Sequence, residues 1–442
     1  MSITPRIESI MLFVGDVCVF YMSLALTLFI RYGVISSDVL QMHLLPFTIL
    51  FVVWYVVYFI AGLYEKHTLI LKHNIPGTIL RAQIVNSAIA AAFFYLIPYF
   101  GIAPKTNLLI HLVLSFGLML LWRRYVAEGM SASKREHALL IGSGSEVREL
   151  MHEVNNNPRY GIEFISSIDI SRSESLDFQE EILNRVYTEG VSVIVADFKN
   201  DRVAPLLPNL YNLIFSHIRF IDMHRVYEDI FNRVPLSLLE YSWFLENISA
   251  SPRRVYDILK RGMDIVVSFI LSIPTLVLIP IIALLIWFDD RGGAFFVQKR
   301  IVKNNKVVPI YKFRTMHQNE QGAMVVSRLG KILRAFRVDE LPQLWNVFKG
   351  DLSLIGPRPE IPDLVKHYED EISYYNVRHL IKPGLSGWAQ IYHEGHPHHD
   401  ADVPETKMKL SYDLYYIKNR SFMLDIAIAL KTFKTVITRA GR

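Results

Sequence analysis

Two adjacent carboxylates, Asp339 and Glu340, stand in the part of the chain that is densest in charged and proline-containing motifs. Pro342 is tolerated in a helix only in the first turn, so the sequence predicts a helix that begins close to Asp339 and ends at Gly350. The N-terminus of a helix attracts anions through its free N–H groups and its dipole. The two carboxylates are therefore expected to stay ionised beside a position where phosphate can bind.

Phosphate chemistry at this position needs positive charge. Two neighbouring carboxylates can approach a diphosphate only with a counter-charge, which Mg²⁺ held by Asp339, Glu340 and phosphate oxygens would supply. Pro357 and Pro359 restrict the backbone around Arg358, so this arginine is presented on a stiff loop. Its planar guanidinium suits bidentate contact with phosphate.

Four other cations flank the carboxylates. Arg334 and Arg337 lie one turn or less before Asp339 and would add positive charge for phosphate binding, although Arg337 could equally form a simple ion pair with Asp339. Lys312 and Arg314 follow a short predicted strand. Two interpretations of this last pair stay open: they bind the nucleotide, or they face anionic lipid.

From about residue 256 to 438 the chain resembles the bacterial sugar transferases, which are polyprenyl-phosphate sugar-1-phosphate transferases with a re-entrant membrane helix. The resemblance is specific because many motifs follow one another in order. These motifs are Lys260-Arg261-x-x-Asp264, Tyr311-Lys312-Phe313-Arg314-Thr315-Met316, Asp339-Glu340-Leu-Pro-Gln343, Lys349-Gly350-Asp351-x-Ser353, Gly356-Pro357-Arg358-Pro359, Lys382-Pro383-Gly384 and Tyr412-Asp413-Leu-Tyr415.

The resemblance implies a two-step reaction. Asp339 is then the nucleophile that attacks the β-phosphate of a UDP-sugar, releases UMP and forms a phosphosugar-aspartate intermediate. Undecaprenyl phosphate next accepts the sugar phosphate, which starts an exopolysaccharide or O-antigen-type glycan. Glu340 is assigned to Mg²⁺, and Arg358 with Arg334 to phosphate or the carrier's head group. The sugar stays undetermined, and an alternative is a membrane-anchored sensor that binds nucleotide sugars without turnover.

The elements that position these residues begin with a membrane domain. Of the residues, 51% are hydrophobic, and four long apolar stretches precede residue 123, each close to the ~20 residues that span a bilayer. They are Ile10–Ile30, Leu44–Leu63, Ala82–Phe100 and Thr106–Trp122. The only cysteine, Cys18, excludes a disulfide framework and is expected to pack inside the first stretch.

Charge predicts the orientation of the membrane domain. Lysines and arginines concentrate on one side of the four stretches, which places both ends of the domain, and everything after Trp122, in the cytoplasm. These residues are Arg6, Lys66, Lys72, Arg81, Arg123, Arg124, Lys134 and Arg135. We therefore expect a multi-pass protein of the bacterial cytoplasmic membrane whose catalytic domain lies on the cytoplasmic face.

Residues 134–250 alternate strand and helix patterns, which predicts a parallel α/β sheet. Gly142-Ser143-Gly144 after the first strand is similar to the opening of a dinucleotide-binding fingerprint, but Val147 replaces its third glycine. A structural or dimerising role is therefore favoured over nucleotide binding for this degenerate Rossmann-like domain.

A fifth apolar run covers Ile265–Phe288. Positive charge flanks it on both sides, and Pro274 and Pro280 interrupt it, so a bent, re-entrant helix is favoured over an ordinary crossing. Either proline could break the helix. An ordinary fifth span would place the C-terminal domain on the side of the membrane without nucleotide sugars.

The expected fold is an integral membrane α plus α/β protein in three parts. Residues 1–130 form a four-transmembrane-helix domain, residues 131–250 the Rossmann-like domain, and residues 251–442 a mostly helical catalytic domain with a re-entrant helix at about 264–288. The last part is basic, with 28 of the 47 Lys+Arg against 19 of the 42 Asp+Glu, which suits phosphates and anionic membrane lipids. A homodimer is expected, and no nucleic acid partner. The cluster from His393 to Asp400 is expected to be a surface loop.

Overall fold

The computed structural model describes residues 6–33, 36–64, 75–97, 104–131, 135–157, 160–171, 182–248, 253–318, 323–392 and 402–438. The predicted surface loop at His393–Asp400 and three of the orientation-setting lysines, Lys66, Lys72 and Lys134, lie outside the described residues. The chain divides into two compact units, Met1–Ile230 and Phe231–Arg442.

The first unit begins with four long apolar helices, each of which is long and apolar enough to cross a membrane. They are α1 (Arg6–Tyr32), α2 (Ser37–Ile60), α3 (Ile75–Leu96) and α4 (Pro104–Ser131). Phe20, Phe51 and Trp54 lie at the centre of one shared core, while many leucines and valines point outward. A lipid environment would stabilise these outward-facing apolar side chains. Cys18 lies in α1 among its exposed residues.

A buried ion pair links the helices of this segment. The Nη2 atom of Arg123 donates to Oδ2 of Asp16 at 2.5 Å, and the hydroxyl of Tyr64 donates to the same oxygen at 2.8 Å. The other terminal nitrogen of Arg123 donates to the carbonyl oxygen of Leu63. Because both charges are paired and hydrogen-bonded, this contact can hold α1, α4 and the end of α2 together in an apolar setting.

The rest of the first unit is built on a parallel four-stranded sheet with the strand order β2-β1-β3-β4. The strands are β1 (Glu136–Gly142), β2 (Ile162–Asp169), β3 (Val193–Ala196) and β4 (Arg219–Asp222). The helices between and after them are α5 (Ser145–Asn156), α6 (Asn184–Thr188), α7 (Leu207–Asn212) and α8 (Met223–Phe231). Alternating strands and helices gave a parallel sheet, in agreement with the sequence pattern.

Apolar side chains cover the glycine-containing turn after β1. A Cβ atom added to Gly142 would lie 2.9 Å from Val147 and 3.3 Å from the sulfur of Met223. In a dinucleotide-binding fold, the backbone of this turn is the part that pyrophosphate approaches. Gly144 does have the positive φ of such a turn, 103°. Val147 stands where the fingerprint has its third glycine. Its side chain contacts Gly142 and so packs α5 against β1.

The second unit contains the long helix α10, Arg254–Asp290, which is 37 residues long and also apolar enough to cross a membrane. Residues before α10 pack in this unit. Val234 and Trp243 share a core with Val365, Tyr375 and Leu414, and the short helix α9, Tyr241–Asn247, belongs to the same group. The segment after α8 belongs to the second unit because it buries its apolar side chains against the C-terminal helices.

Short elements follow α10. The helices are α11 (Arg328–Ala335), α12 (Leu344–Lys349), α13 (Pro362–Glu371), α14 (Trp388–Tyr392), α15 (Val403–Asn419) and α16 (Phe422–Thr438). The strands are β5 (Phe295–Val302), β6 (Lys306–Phe313), β7 (Met316–Gln318), β8 (Met324–Val326), β9 (Ser353–Ile355) and β10 (Gly384–Ser386). They form three two-stranded sheets, of which β5–β6 and β7–β8 are antiparallel hairpins and β9–β10 is parallel.

Candidate active site

A tight turn after α11 places the two carboxylates. Arg337 has the left-handed φ of 53°, and a 3₁₀ helix then runs from Val338 to Gln343 directly into α12. Gly350, with a φ of 95°, ends α12. The predicted helix from Asp339 to Gly350 is confirmed, with the difference that its first half is 3₁₀. A left-handed conformation is uncommon for arginine, and such positions concentrate at functional sites.

Close packing against Thr315 fixes α11 in front of this turn. A Cβ atom on Gly330 would lie 2.2 Å from the carbonyl oxygen of Thr315, so only glycine fits there. The same oxygen accepts a hydrogen bond from the backbone N–H of Ser327, the N-cap of α11, at 3.0 Å. The Nε atom of Arg334 donates to Oγ1 of Thr315 at 2.9 Å. Arg334 therefore fastens the end of α11 close to the carboxylates.

Three cations surround Glu340. Its Oε1 atom accepts from Nη2 of Arg358 at 3.0 Å and lies 3.4 Å from Nζ of Lys312. Its Oε2 atom lies 3.8 Å from Nη1 of Arg337. We call Lys312, Arg337 and Arg358 the cation cluster. The simple pairing of Arg337 with Asp339 that the sequence left open is therefore replaced by a pairing with Glu340.

The surroundings push the pKa values of the two carboxylates apart. Burial alone would raise the pKa of Glu340, but the charges of Arg358, Lys312 and Arg337 hold it at about 2. Burial and the neighbouring negative charge of Glu340 raise the pKa of Asp339 to about 6. Neighbouring acids with opposed pKa shifts commonly have different chemical roles. Here Glu340 stays ionised and holds three cations, whereas Asp339 is the more basic of the two carboxylates.

Asp339 also differs from Glu340 in its contacts. In the described part of the chain it accepts no hydrogen bond and forms no ion pair within 4.0 Å, although Lys312, Arg334 and Arg358 lie near enough to lower its pKa. A carboxylate with this combination of features can act as a nucleophile towards an electrophile that the cations hold.

Gln343, one 3₁₀ turn after Glu340, is almost fully buried, and its Nε2 atom has no partner among the described residues.

The long helix α10 is fastened to the site by the Lys260-Arg261-x-x-Asp264 motif. Arg261 donates to the carbonyl oxygens of Val347 and Phe348, at 2.8 and 2.7 Å, and so caps the end of α12. Such a cation at a helix C-terminus is favourable. The Oδ1 atom of Asp264 accepts from Oγ of Ser353 at 3.1 Å and from the backbone N–H of Leu354 at 2.9 Å.

Lys260, the first residue of the motif, reaches a different helix. The Nζ atom of Lys260 donates to Oδ2 of Asp425 in α16 at 2.8 Å, and Asp425 is fully buried. The motif therefore connects the apolar helix to α12, β9 and α16, and through α12 to the two carboxylates.

The structure brings together five of the residues that the sequence proposed for the site: Asp339, Glu340, Lys312, Arg337 and Arg358. Arg334 lies at the edge through its contact with Thr315. Arg314 is placed differently, since its guanidinium packs against the backbone of Gly292. Lys312 was predicted to follow a strand, but it lies within β6.

The prolines take two different positions. Pro357 and Pro359 flank Arg358 in the loop between β9 and α13, as the sequence predicts. Pro274 and Pro280 both lie inside α10, which continues past them to Asp290. No role in the site was predicted for Arg300 and Arg378, which hold the Arg358 loop, because neither belongs to a motif of the bacterial sugar transferases. Asp413, which pairs with Arg378, stood in a motif but without a role.

The hard oxygen ligands needed for Mg²⁺ are present. No group of three or more His, Cys, Asp or Glu side chains that could hold a metal occurs within the described ranges. Mg²⁺ is commonly bound through one or two carboxylates with substrate phosphate oxygens and water, so a larger protein cage is not required. The unpaired carboxylate of Asp339 and the Oε2 atom of Glu340, which has only the distant contact with Arg337, fit that mode.

Comparison with known proteins places this site in a family context. Residues 255–439 match the family model described as bacterial sugar transferase. A UDP-N-acetylgalactosamine-undecaprenyl-phosphate N-acetylgalactosaminephosphotransferase of Aeromonas hydrophila is 39% identical over 259 residues, which are 56% of this chain and 59% of that protein. A UDP-glucose:undecaprenyl-phosphate glucose-1-phosphate transferase of Caulobacter vibrioides is 36% identical over 196 residues, 42% of this chain and 73% of that protein.

An undecaprenyl-phosphate galactose phosphotransferase of Salmonella typhimurium is 32% identical over 216 residues, 43% of this chain and 42% of that protein. The chain thus spans less than two thirds of the length of the Aeromonas and Salmonella relatives. The three relatives differ in the sugar that their names specify.

Proposed function

Because the chain belongs to the bacterial sugar transferase family, we propose that it transfers a sugar-1-phosphate from a UDP-sugar to undecaprenyl phosphate and releases UMP. The observation that supports this most strongly is the unpaired carboxylate of Asp339, with its pKa raised to about 6, next to an anion that holds three cations. The relatives act on N-acetylgalactosamine, glucose and galactose derivatives, so the donor is proposed at the level of a UDP-hexose or UDP-N-acetylhexosamine.

In the first step, a carboxylate oxygen of Asp339 attacks the β-phosphorus of the UDP-sugar. The bond between that phosphorus and the bridging oxygen breaks, UMP leaves with the bridging oxygen and its electron pair, and an acyl phosphate joins Asp339 to the sugar phosphate. Arg358 and Lys312 lie beside the nucleophile and can neutralise the charge that develops on the phosphoryl oxygens. Their attraction to Glu340 keeps both side chains in place before the substrate arrives.

In the second step, a phosphate oxygen of undecaprenyl phosphate attacks the same phosphorus. The bond to Asp339 breaks, the carboxylate is regenerated, and the product is undecaprenyl diphosphate sugar. Asp339 attacks as a carboxylate and is regenerated as one, so its side chain must be ionised at the start of the cycle. Since its pKa is about 6, most of it is ionised at neutral pH while it is still a better nucleophile than an ordinary aspartate.

Mg²⁺ is proposed as the cofactor, with Asp339 and Glu340 as its protein ligands. When bound, it would supply positive charge to the diphosphate of the donor and so allow two carboxylates to face it. The cation cluster performs the same task from the protein side and orients the diphosphate by charge-assisted hydrogen bonds.

The membrane setting is proposed from the helices. The chain is a membrane protein with five described helices long and apolar enough to cross. We place it in the bacterial cytoplasmic membrane with the catalytic part on the cytoplasmic face, where nucleotide sugars are made. Basic residues before and after α10, and Pro274 and Pro280 within it, support a helix that enters and leaves on the same side. A homodimer and membrane lipids complete the proposed set of partners.

Release of UMP by solubilised protein, measured with a panel of UDP-sugars, tests the proposed function. We expect one or a few donors to give carrier-dependent turnover, and Asp339→Asn to remove it. Asp363→Asn is a matched control, because Asp363 also lies in the first turn of a helix, α13, but is not among the main influences on the pKa of Asp339 or Glu340. Turnover of Asp339→Asn at the unmodified rate, or binding of a UDP-sugar without any turnover, would contradict the proposal.

A further inference from the structure

The backbone carbonyl oxygens of the loop that carries Arg358 accept hydrogen bonds from other segments of the second unit. The carbonyl oxygen of Pro357 accepts from the N–H of Gly384 at 2.9 Å, and that of Glu360 accepts from the N–H of Ile301 at 2.8 Å. Pro357 and Pro359 have no N–H, so the loop cannot build a regular hydrogen-bonding pattern of its own. Its shape therefore depends on partners supplied by other parts of the second unit.

Two arginines supply the partners between these points. The Nη2 atom of Arg378 donates to the carbonyl oxygen of Arg358 at 2.9 Å, and Nη1 of Arg300 donates to that of Pro359 at 3.0 Å. Four successive carbonyl oxygens, from Pro357 to Glu360, are thus each hydrogen-bonded to another segment. Arg378 contacts the backbone of Arg358, while the guanidinium of Arg358 points to Glu340.

Arg378 is itself held rigidly. Its side chain is 7% exposed, and that of its ion-pair partner Asp413, in α15, is 2% exposed. Nη2 of Arg378 lies 2.9 Å from Oδ2 of Asp413, and Nη1 donates to the hydroxyl of Tyr375 at 2.5 Å. A buried arginine with all these contacts cannot move without breaking several charge-assisted hydrogen bonds. The chain of contacts therefore runs from Asp413 through Arg378 to the backbone of Arg358 and on to Glu340.

We infer that Arg378, held by Asp413, is a positioning residue for the transfer reaction: it fixes the backbone of Arg358 so that the guanidinium stays aligned with the phosphoryl group. Arg300 supports the same loop one residue later. Neither side chain contacts the two carboxylates, so both act through Arg358. This inference rests on the proposed function, since it assigns the residues a part in that reaction.

The matched pair of variants is Arg378→Lys and Arg253→Lys. Lysine keeps the charge but lacks the planar guanidinium that donates to three acceptors at once. Arg253 makes the same kind of contact, with the carbonyl oxygens of Lys418 and Arg420, away from the carboxylates. We expect Arg378→Lys to lower kcat by about 10- to 100-fold, the loss typical of a misplacement of about 1 Å, and Arg253→Lys to keep the unmodified kcat.

A double-mutant cycle with Arg358→Ala separates positioning from general stability. If Arg378 acts through Arg358, Arg378→Lys lowers kcat no further once the side chain of Arg358 is gone. A purely structural role would instead reduce kcat by the same factor in both backgrounds. Arg300→Lys is the second variant, measured in the same cycle, and it keeps the test decisive if Arg378→Lys does not fold.

The outcomes separate this inference from the proposed function. Absence of UMP release from the unmodified chain would overturn the function. Turnover by the unmodified chain, with equal losses in both backgrounds or an unchanged kcat in Arg378→Lys and Arg300→Lys, would overturn the positioning role alone. The expected result is turnover by the unmodified chain, a loss in each single variant, and no further loss on the Arg358→Ala background.

Discussion

Replacement of Glu340 by glutamine should move the acidic limb of the pH–rate profile to lower pH. In the unmodified chain, the pKa of Asp339 is about 6 because of burial and, next, the negative charge of Glu340. Glutamine removes that charge and frees Arg358 and Lys312, which both lower the pKa of Asp339. Burial stays, so the pKa falls part of the way towards the ordinary value of 3.8, by less than about two units.

The sign follows from the requirement for an ionised nucleophile. In the unmodified chain, activity should fall as the pH drops through about 6, because Asp339 becomes protonated. In Glu340→Gln the fall should begin at lower pH. The variant should also be slower at neutral pH, by about 10- to 100-fold, because the cation cluster and the proposed Mg²⁺ site lose a shared partner.

The assay is kcat/KM for UMP release between about pH 4 and 8, which reports ionisations of the free enzyme. Glu360→Gln is the matched control. It removes a carboxylate near Arg300 and Arg358, but one that is not among the main influences on the pKa of Asp339. An acidic limb that stays in place or moves to higher pH in Glu340→Gln would refute the coupling. The same shift in Glu360→Gln would show that it is not specific to Glu340.

Three further predictions concern the packing of α11, the course of α10 and the proposed Mg²⁺. Gly330→Ala should destabilise the fold by about 3 kcal/mol, because its Cβ would collide with the backbone of Thr315, whereas Gly293→Ala, with nothing within 4 Å, should leave the Tm unchanged in thermal unfolding. Single cysteines at Ile258 and Asn304, in a chain with Cys18 replaced, should react with an impermeant thiol reagent from the same side of the membrane. Labelling from opposite sides would exclude a re-entrant α10. Chelation of Mg²⁺ should stop UMP release, and higher Mg²⁺ should move the acidic limb to lower pH, since the metal binds ionised Asp339. An unchanged rate of UMP release after chelation would show that Mg²⁺ is not the cofactor.

Sequence patterns were sufficient for the elements whose signal is local. The apolar stretches became α1–α4, the alternation of strands and helices became the parallel sheet, and Pro342 and Gly350 marked the two ends of the helix after Asp339. Each of these depends on periodicity or on the backbone preferences of a single residue.

Contacts between distant segments could not be obtained in the same way. Arg378 and Asp413 lie 35 positions apart, and Arg261 and Val347 are 86 apart. Composition indicated only that the last part of the chain was basic, and a cation in a sequence does not show which anion or carbonyl it reaches. The pairing of Arg337 with Glu340 instead of Asp339 has the same cause, since it depends on the left-handed turn at Arg337.

The packing of residues 231–248 could not be predicted from the sequence for a related reason. Residues 231–248 follow the sheet without a break in composition, and only the core shared by Trp243, Val365 and Tyr375 shows that they pack in the second unit. Burial of side chains from distant positions decides such boundaries, and hydropathy along the chain does not report it.

Covalent phosphorylation of Asp339 by the donor can be detected by mass spectrometry of peptides from the protein. The protein would be mixed with the UDP-sugar that gives turnover, without undecaprenyl phosphate, quenched and digested. We expect UMP release of at most one equivalent, a mass increase equal to one sugar phosphate on the peptide that contains Asp339, and loss of that adduct when the carrier is added. An unmodified peptide, together with UMP release that requires the carrier to be present, would contradict the claim.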